Sequence, residues 1–317
     1  MIYFVYKRAF NNWTEVWKVV IVNYKKSVIV LVSSFMLVLA SNNAVIATDY
    51  NFTSYDSIYS IQGNIGNIVG VVNINGVANG SKKSTIDLNG YSGFVISDKD
   101  SILNIKNTTL KNANGQVINI SAGEASFENV TFSDNTYAHT TSDVTGSAIY
   151  NNGAKISKLS GIFTGNRITS ASGSAFGGAI KNDYKGVITS ITNSLFYGNK
   201  LDGSNEAQGG AIWNSRVSTI GDIIADFILN EVGSESAEKI GRGGAIYNGA
   251  DSKIGNIIGN FQQNKITAIT AHGGAIHSDR NSQIKSITGE FKQNALVTVQ
   301  EGKGAAIYNY MGEKQRG

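Results

Sequence analysis

GGAIYNGADSKIGNIIGNFQQN, residues 243–264, is the stretch whose reading decides the fold. It holds two phrases, Gly-Gly-Ala-Ile-Tyr-Asn and Phe-Gln-Gln-Asn, and both recur. The first returns as GSAIYNN from Gly146, GGAIKND from Gly177, GGAIWNS from Gly209, GGAIHSD from Gly273 and GAAIYNY from Gly304. The second, Phe-x-x-Asn, begins at Phe132, Phe163, Phe196, Phe227, Phe261 and Phe291, at intervals of 31, 33, 31, 34 and 30 residues. The isoleucines of the first phrase, Ile149, Ile180, Ile212, Ile246, Ile276 and Ile307, step by 31, 32, 34, 30 and 31. Two independent markers holding one period are the mark of a solenoid. A catalytic loop is needed once, so a phrase written six times reads as architecture.

Inside one unit the pattern is that of short strands. KIGNIIGNFQQN (253–264) and QIKSITGEFKQN (283–294) share Ile-x-x-Ile-x-x-x-Phe-x-x-Asn, with Ile257, Gly259 and Phe261 alternating at period two. Helices would tolerate this much Gly and Asn poorly. About three strands per ~31-residue coil, stacked on the coils above and below, make an all-β parallel β-helix. Gly-Gly supplies a permissive backbone at the turn, and Ile then points inward onto the Ile of adjacent coils. Asn151, Asn182, Asn214, Asn248 and Asn309 follow two residues later and are expected to stack as an amide ladder. The phenylalanines should form an inner aromatic stack, with their trailing asparagines as a second ladder.

The earliest coils are shorter. Leu110 in SILNIKNTTLKN (101–112) matches Phe132 in EASFENVTFSDN (124–135), an offset of 22 residues. The resulting division is 1–47 leader, 48–65 N-terminal cap, 66–310 β-helix and 311–317 a broken-off end. Eight or nine coils at ~4.8 Å each predict a rod roughly 40 Å long.

Composition narrows the function. The 317 residues include no cysteine and no proline, which excludes disulfides and cysteine-liganded zinc. Three histidines, His139, His272 and His277, offer no metal-ligand spacing. The net charge of +4 comes wholly from residues 1–47, and the remaining 22 basic and 22 acidic residues cancel. That removes the electrostatic case for nucleic acid. A phosphate-binding loop needs a lysine and a hydroxyl after its glycines, which are missing, and the calcium-roll pattern is missing too. No cofactor and no metal are expected.

Residues 27–40, SVIVLVSSFMLVLA, form an apolar run after Lys25–Lys26, shorter than the roughly 20 residues that span a bilayer. It reads as the core of an export signal ending at Val45-Ile46-Ala47, with the mature chain starting near Thr48. The alternative is an uncleaved anchor. YKRAFNNWTEVWKVV (6–20) resembles the extended signal peptide of type V secreted proteins of Gram-negative bacteria through Tyr6, Lys7, Phe10, Asn11, Trp17, Val19 and Val20. Phe10 stands where tryptophan is usual. This resemblance implies engagement of the Sec machinery by an N-terminal signal helix.

Gly-Gly-Ala-Ile alternating with Phe-x-x-Asn over residues 127–309 resembles the polymorphic outer-membrane protein repeat. Ser147, Ala305 and Ser278 depart from it. The resemblance implies an autotransporter passenger, a right-handed β-helix of the pectin-lyase-like kind, displayed at the cell surface or outer membrane, or secreted, and serving adhesion to a host surface, matrix or glycan. It also implies a translocator β-barrel, which this chain does not contain: the sequence reaches MGEKQRG after a sixth Gly-Ala-Ala-Ile without its Phe-x-x-Asn. A truncated product, periplasmic or without function, is therefore one expectation.

Function should lie in what varies between coils. The loops from Phe-x-x-Asn to Gly-Gly vary most and leave one corner of the coil, as a recognition face or as inert solvated loops. The residue after each Ile, at Tyr150, Trp213, Tyr247, His277 and Tyr308 with a break at Lys181, alternates outward and forms a candidate binding stripe for glycans or a partner. The rival is a polysaccharide lyase or hydrolase, since β-helices also carry enzymes. Sugar hydrolysis wants two carboxylates about 5–9.5 Å apart. The equivalent acids Asp183 and Asp279 lie three coils apart, roughly 14 Å, and the cluster of His277, Asp279 and Arg280 has no second carboxylate one coil away. The reading is a non-enzymatic, adhesin-like passenger.

Overall fold

The computed structural model describes residues 2–4, 20–24, 27–30, 44–233 and 240–310, with side chains from residue 49. The described residues are all-β. The expected signal helix lies outside them, and the described pieces of that leader, Ile2–Phe4, Val20–Tyr24 and Ser27–Val30, are short antiparallel strands. Among the described residues no helix is long and apolar enough to cross a membrane.

From Ala44 onward the chain winds into a parallel β-solenoid. One full coil runs through the long bent strand Lys155–Thr164, a corner at Gly165–Asn166, an outgoing strand Arg167–Ser170, a returning strand Ala175–Phe176, the Gly-Gly turn and Ile180–Asp183. Each strand pairs in parallel with its counterpart one coil on: Phe163 with Phe196, Ile180 with Ile212, Ile156 with Ile188. The phenylalanine column is continuous from Tyr59 through Ile86, Leu110, Phe132, Phe163, Phe196, Phe227 and Phe261 to Phe291. Its eight steps of ~4.8 Å span about 40 Å. The stretch 48–65 belongs to this stack: Ala44–Asn51 pairs in parallel with the Gly66–Asn75 strand, and Ile58–Ser60 with Lys82–Asp87.

The interior is built from repeated columns. Phe132, Phe163, Phe196, Phe227, Phe261 and Phe291 stack with centroids 4.6–4.9 Å apart and planes within 10°. Ile149, Ile180, Ile212, Ile246 and Ile276 are fully buried, while Ile307, on the last described coil, is 40% exposed. Two amide ladders flank these columns. Asn151 Nδ2 donates to Asn182 Oδ1, Asn182 to Asn214 and Asn214 to Asn248, at 2.8–2.9 Å. Asn309 pairs in register with Ser278, which interrupts that ladder. The second ladder runs from Asn135 through Asn166, Asn199, Asn230 and Asn264 to Asn294, each bond 2.9 Å. Each of its later members also donates to a Phe carbonyl of the preceding coil, as Asn199 does to Phe163 O at 2.9 Å. Buried amides need such partners, because an unpaired one costs about 1–3 kcal/mol.

The two glycines of the repeat do different jobs. The first is left-handed, with φ between 64° and 73° at Gly177, Gly209, Gly243, Gly273 and Gly304. The second allows coils to touch: a Cβ on Gly178, Gly210, Gly244 or Gly274 would sit 2.0–2.1 Å from a carbonyl oxygen one coil on. Where Ser147 replaces it, the serine Oγ donates to Gly178 O at 2.7 Å. Ala305 lies on the last described coil, with no further described coil stacked against its methyl.

Among the described residues, the variable segments carry regular strands. Instead of irregular loops, the outgoing and returning strands join into a separate 10-stranded parallel sheet, a wing running alongside the main stack. It has its own core of Val144, Ile168, Ala175, Leu201, Ala207, Val232, Ile266, Ala268 and Ala271. The wing explains the change of period. From Leu110 to Phe132 the coil has no wing and takes 22 residues; from Ile118 to Ile149 it includes the first wing strands and takes 31.

Candidate functional site

The candidate stripe is placed where alternation put it, on the side of the Ile strands facing away from the main core. The wing covers it. Trp213, Tyr247 and His277 are 4%, 5% and 2% exposed, Lys181 is buried, and only Tyr150 and Tyr308 are half-buried. The expectation of an exposed aromatic stripe is therefore corrected. The residue just before each Gly-Gly, on the returning wing strand, lies over the stripe: Phe176 packs on Trp213 at 5.4 Å and His272 on Tyr308 at 4.8 Å.

Within this seam the rings form a column, Trp213 on Tyr247 at 6.1 Å, Tyr247 on His277 at 5.2 Å and His277 on Tyr308 at 5.3 Å. The Trp213 and Tyr247 polar edges are satisfied across it, while His277 Nδ1 and His272 Nε2 are buried without a hydrogen bond among the described residues. Trp213 Nε1 donates to Gln208 Oε1 at 2.9 Å, and Gln208 Nε2 donates to Glu206 at 2.9 Å. Tyr247 donates its hydroxyl to Asp279 Oδ2 at 2.7 Å. Burial, reinforced by that carboxylate, pushes the Tyr247 phenol far above its ordinary range. Burial would raise the Asp279 carboxyl, but the bonds from Tyr247 and the Arg280 amide outweigh it and hold the group low. Burial drives the His277 imidazole down to about 3, with the Asp279 charge only partly opposing.

The break in the stripe is a buried ion pair. Lys181 Nζ lies 3.1 Å from Asp183 Oδ2 and 4.8–5.3 Å from the ring centres of Trp213, Phe176 and Tyr150. Burial lowers the lysine, and Asp183 works against that shift. Arg216 Nε reaches the other Asp183 oxygen at 3.6 Å. Thus Asp183 and Asp279, the two acids singled out from the sequence, are each tied to a neighbour in the seam. No group of three His, Cys, Asp or Glu side chains suited to a metal exists among the described residues.

One open groove, of about 410 Å³, lies on the outer face of the first coils, lined by Asp49, Asn73, Asn104, Lys106, Ser126 and Glu128 among others. Its floor is a half-buried polar run in which Asn104 Nδ2 donates to Asn73 Oδ1 at 2.8 Å and Asn73 to Asp49 at 2.7 Å. Sequence reading passed over it because the groove joins strands 22–31 residues apart through side chains that share no motif.

Comparison of the chain with protein-family models, with curated proteins and with solved structures gave no match.

Proposed function

We propose that this chain is an exported, surface-directed β-helical passenger that binds a host, matrix or glycan ligand as an adhesin does, and performs no chemistry of its own. The observation that carries the reading is the engagement of the acids: Asp183 is locked to Lys181, and Asp279 to Tyr247, inside a seam closed by the wing. What remains for a partner is the outside of a rigid rod. The repeat resemblance and the leader point the same way.

The test is retention of the purified chain on immobilised matrix proteins and on a glycan array, paired with surface display and protease accessibility on cells. Retention that survives competition by unrelated protein is the expected result. A polysaccharide-cleaving reading has the groove in its favour, because Asp49, Lys106 and Glu128 meet there. Release of new reducing or unsaturated ends from a polysaccharide, abolished by Glu128→Gln, would replace the adhesin reading.

A further inference from the structure

The turn that follows each Ile strand has the same length in four consecutive coils, at residues 183–186, 215–218, 249–252 and 279–282. In the last two, only one central residue is left-handed, Asp251 at φ 60° and Asn281 at φ 57°. Those are residue types that accept this conformation. In the first two, both central residues are left-handed: Tyr184 and Lys185 at 51° and 67°, Arg216 and Val217 at 55° and 66°. A doubly left-handed turn favours Asn-Gly, and a β-branched residue there is an outlier. Since the same coil closes at 249–252 and 279–282 with one left-handed residue, coil closure as such does not require two.

The two strained turns are stacked, Lys185 N donating to Arg216 O at 3.1 Å. Together they form a knuckle on the rod. Tyr184 is 64% and Val217 56% exposed, and the Arg216 side chain is 62% exposed. Among the described residues the Tyr184 hydroxyl and the Lys185 ammonium have no hydrogen bond or ion pair. Beneath them, the single Asp183 carboxylate is shared by Lys181 at 3.1 Å and Arg216 at 3.6 Å, so with Lys185 the group sets three cations against one anion and the knuckle is left net positive. Strain of this kind gathers at binding and switch regions, and an exposed Tyr beside an Arg has the composition of an interface hot spot.

We propose that the knuckle of Tyr184, Lys185, Arg216 and Val217 is the contact surface for an acidic polypeptide segment. Its carboxylates would meet Lys185 and Arg216, and its apolar side chains would cover Tyr184 and Val217. Valine favours a polypeptide over a sugar, because it offers neither a hydrogen bond to hydroxyls nor a ring face to stack on. The inference rests on the adhesin reading and names the chemistry of its partner.

The test uses the full chain, a variant with Asn-Gly in both turns (Y184N/K185G/R216N/V217G) and a charge reversal (K185E/R216E). The probe is an immobilised glutamate–tyrosine copolymer, with immobilised hyaluronate beside it. The native chain is expected to be retained on the copolymer in a salt-sensitive way. The Asn-Gly variant should bind at least about tenfold more weakly, a change of ~1.4 kcal/mol, while unfolding about 4 °C higher as strain is relieved. The charge reversal should abolish retention. Equal binding by the Asn-Gly variant, a lower unfolding temperature for it, no retention of the native chain, or retention on hyaluronate alone each overturns the inference. If native and variant chains hold the same matrix protein equally well, the adhesin reading stands and the knuckle falls.

Discussion

The third residue of every Phe-x-x-Asn corner is left-handed: Asp134, Gly165, Gly198, Leu229, Gln263 and Gln293, all at φ 55–63°. Two coils meet this with glycine, and Leu229 meets it worst. Its side chain is 42% exposed, so little packing would be lost on truncation. Leu229→Gly should stabilise the protein by about 0.5–1 kcal/mol, the left-handed penalty less the added chain entropy of glycine. Leu229→Ala should not, and chemical denaturation of both variants checks this. Lys181 supplies the opposite case. Lys181→Met leaves the buried Asp183 charge with the Tyr184 amide and the longer Arg216 contact, and should cost about 3 kcal/mol. Adding Asp183→Asn should recover most of that loss, because an uncharged seam no longer needs a cation. A double-mutant cycle reads both numbers.

The wing is an element with its own small core, and that gives it a separate stability. Leu201→Asp should open it locally while the main stack keeps its far-ultraviolet dichroism. Trp213, which the wing covers, would then become accessible to iodide quenching in a chain whose Trp13 and Trp17 are replaced by phenylalanine. Unchanged quenching would mean that wing and stack unfold as one. The main stack was legible because Phe, Ile and Asn recur at fixed offsets and each type announces its column. The wing was not, since its strands have only two to four residues in most coils and its buried positions change identity. A signal was present all the same. Two residues after each ladder Asn stand Tyr137, Ile168, Leu201, Val232, Ile266 and Leu296, and two before each turn glycine stand Val144, Ala175, Ala207, Gly241, Ala271 and Gly302. A large apolar residue opposite a small one is a packed pair. A Cβ on Gly241 would lie 2.4 Å from Ile266 Cγ2. The stripe failed for the same reason: alternation placed its side chains outside the main core, but only the unseen wing decided whether outside meant solvent.

For the whole molecule, the seam contributes to the response to acid. The His277 imidazole faces Tyr247, Tyr308, His272, Asp279 and Arg242, and burial takes it from 6.5 to about 3. Between those values the unfolded chain binds a proton that the folded chain refuses. Its contribution to stability is thus complete above pH 6.5 and is lost as pH falls toward 3, with a slope of at most about 1.4 kcal/mol per pH unit. His272, also lowered chiefly by burial, adds the same sign. His277→Tyr, the residue that the neighbouring coils carry as Tyr247 and Tyr308, should flatten the dependence of the urea midpoint between pH 7 and 4. An unaltered slope would place the acid response elsewhere.

The amide ladders carry a direction as well as hydrogen bonds. In every link of both, the Nδ2 of one coil donates to the Oδ1 of the next coil toward the C-terminus. The side-chain dipoles therefore add along the rod axis and polarise one another, whereas β-sheet backbones leave only a small net moment. The oxygen ends point toward the first coils and the amino ends toward the last. A field applied across a solution should turn these rods like compass needles, and the orientation should weaken as ladder asparagines are replaced by threonine one coil at a time.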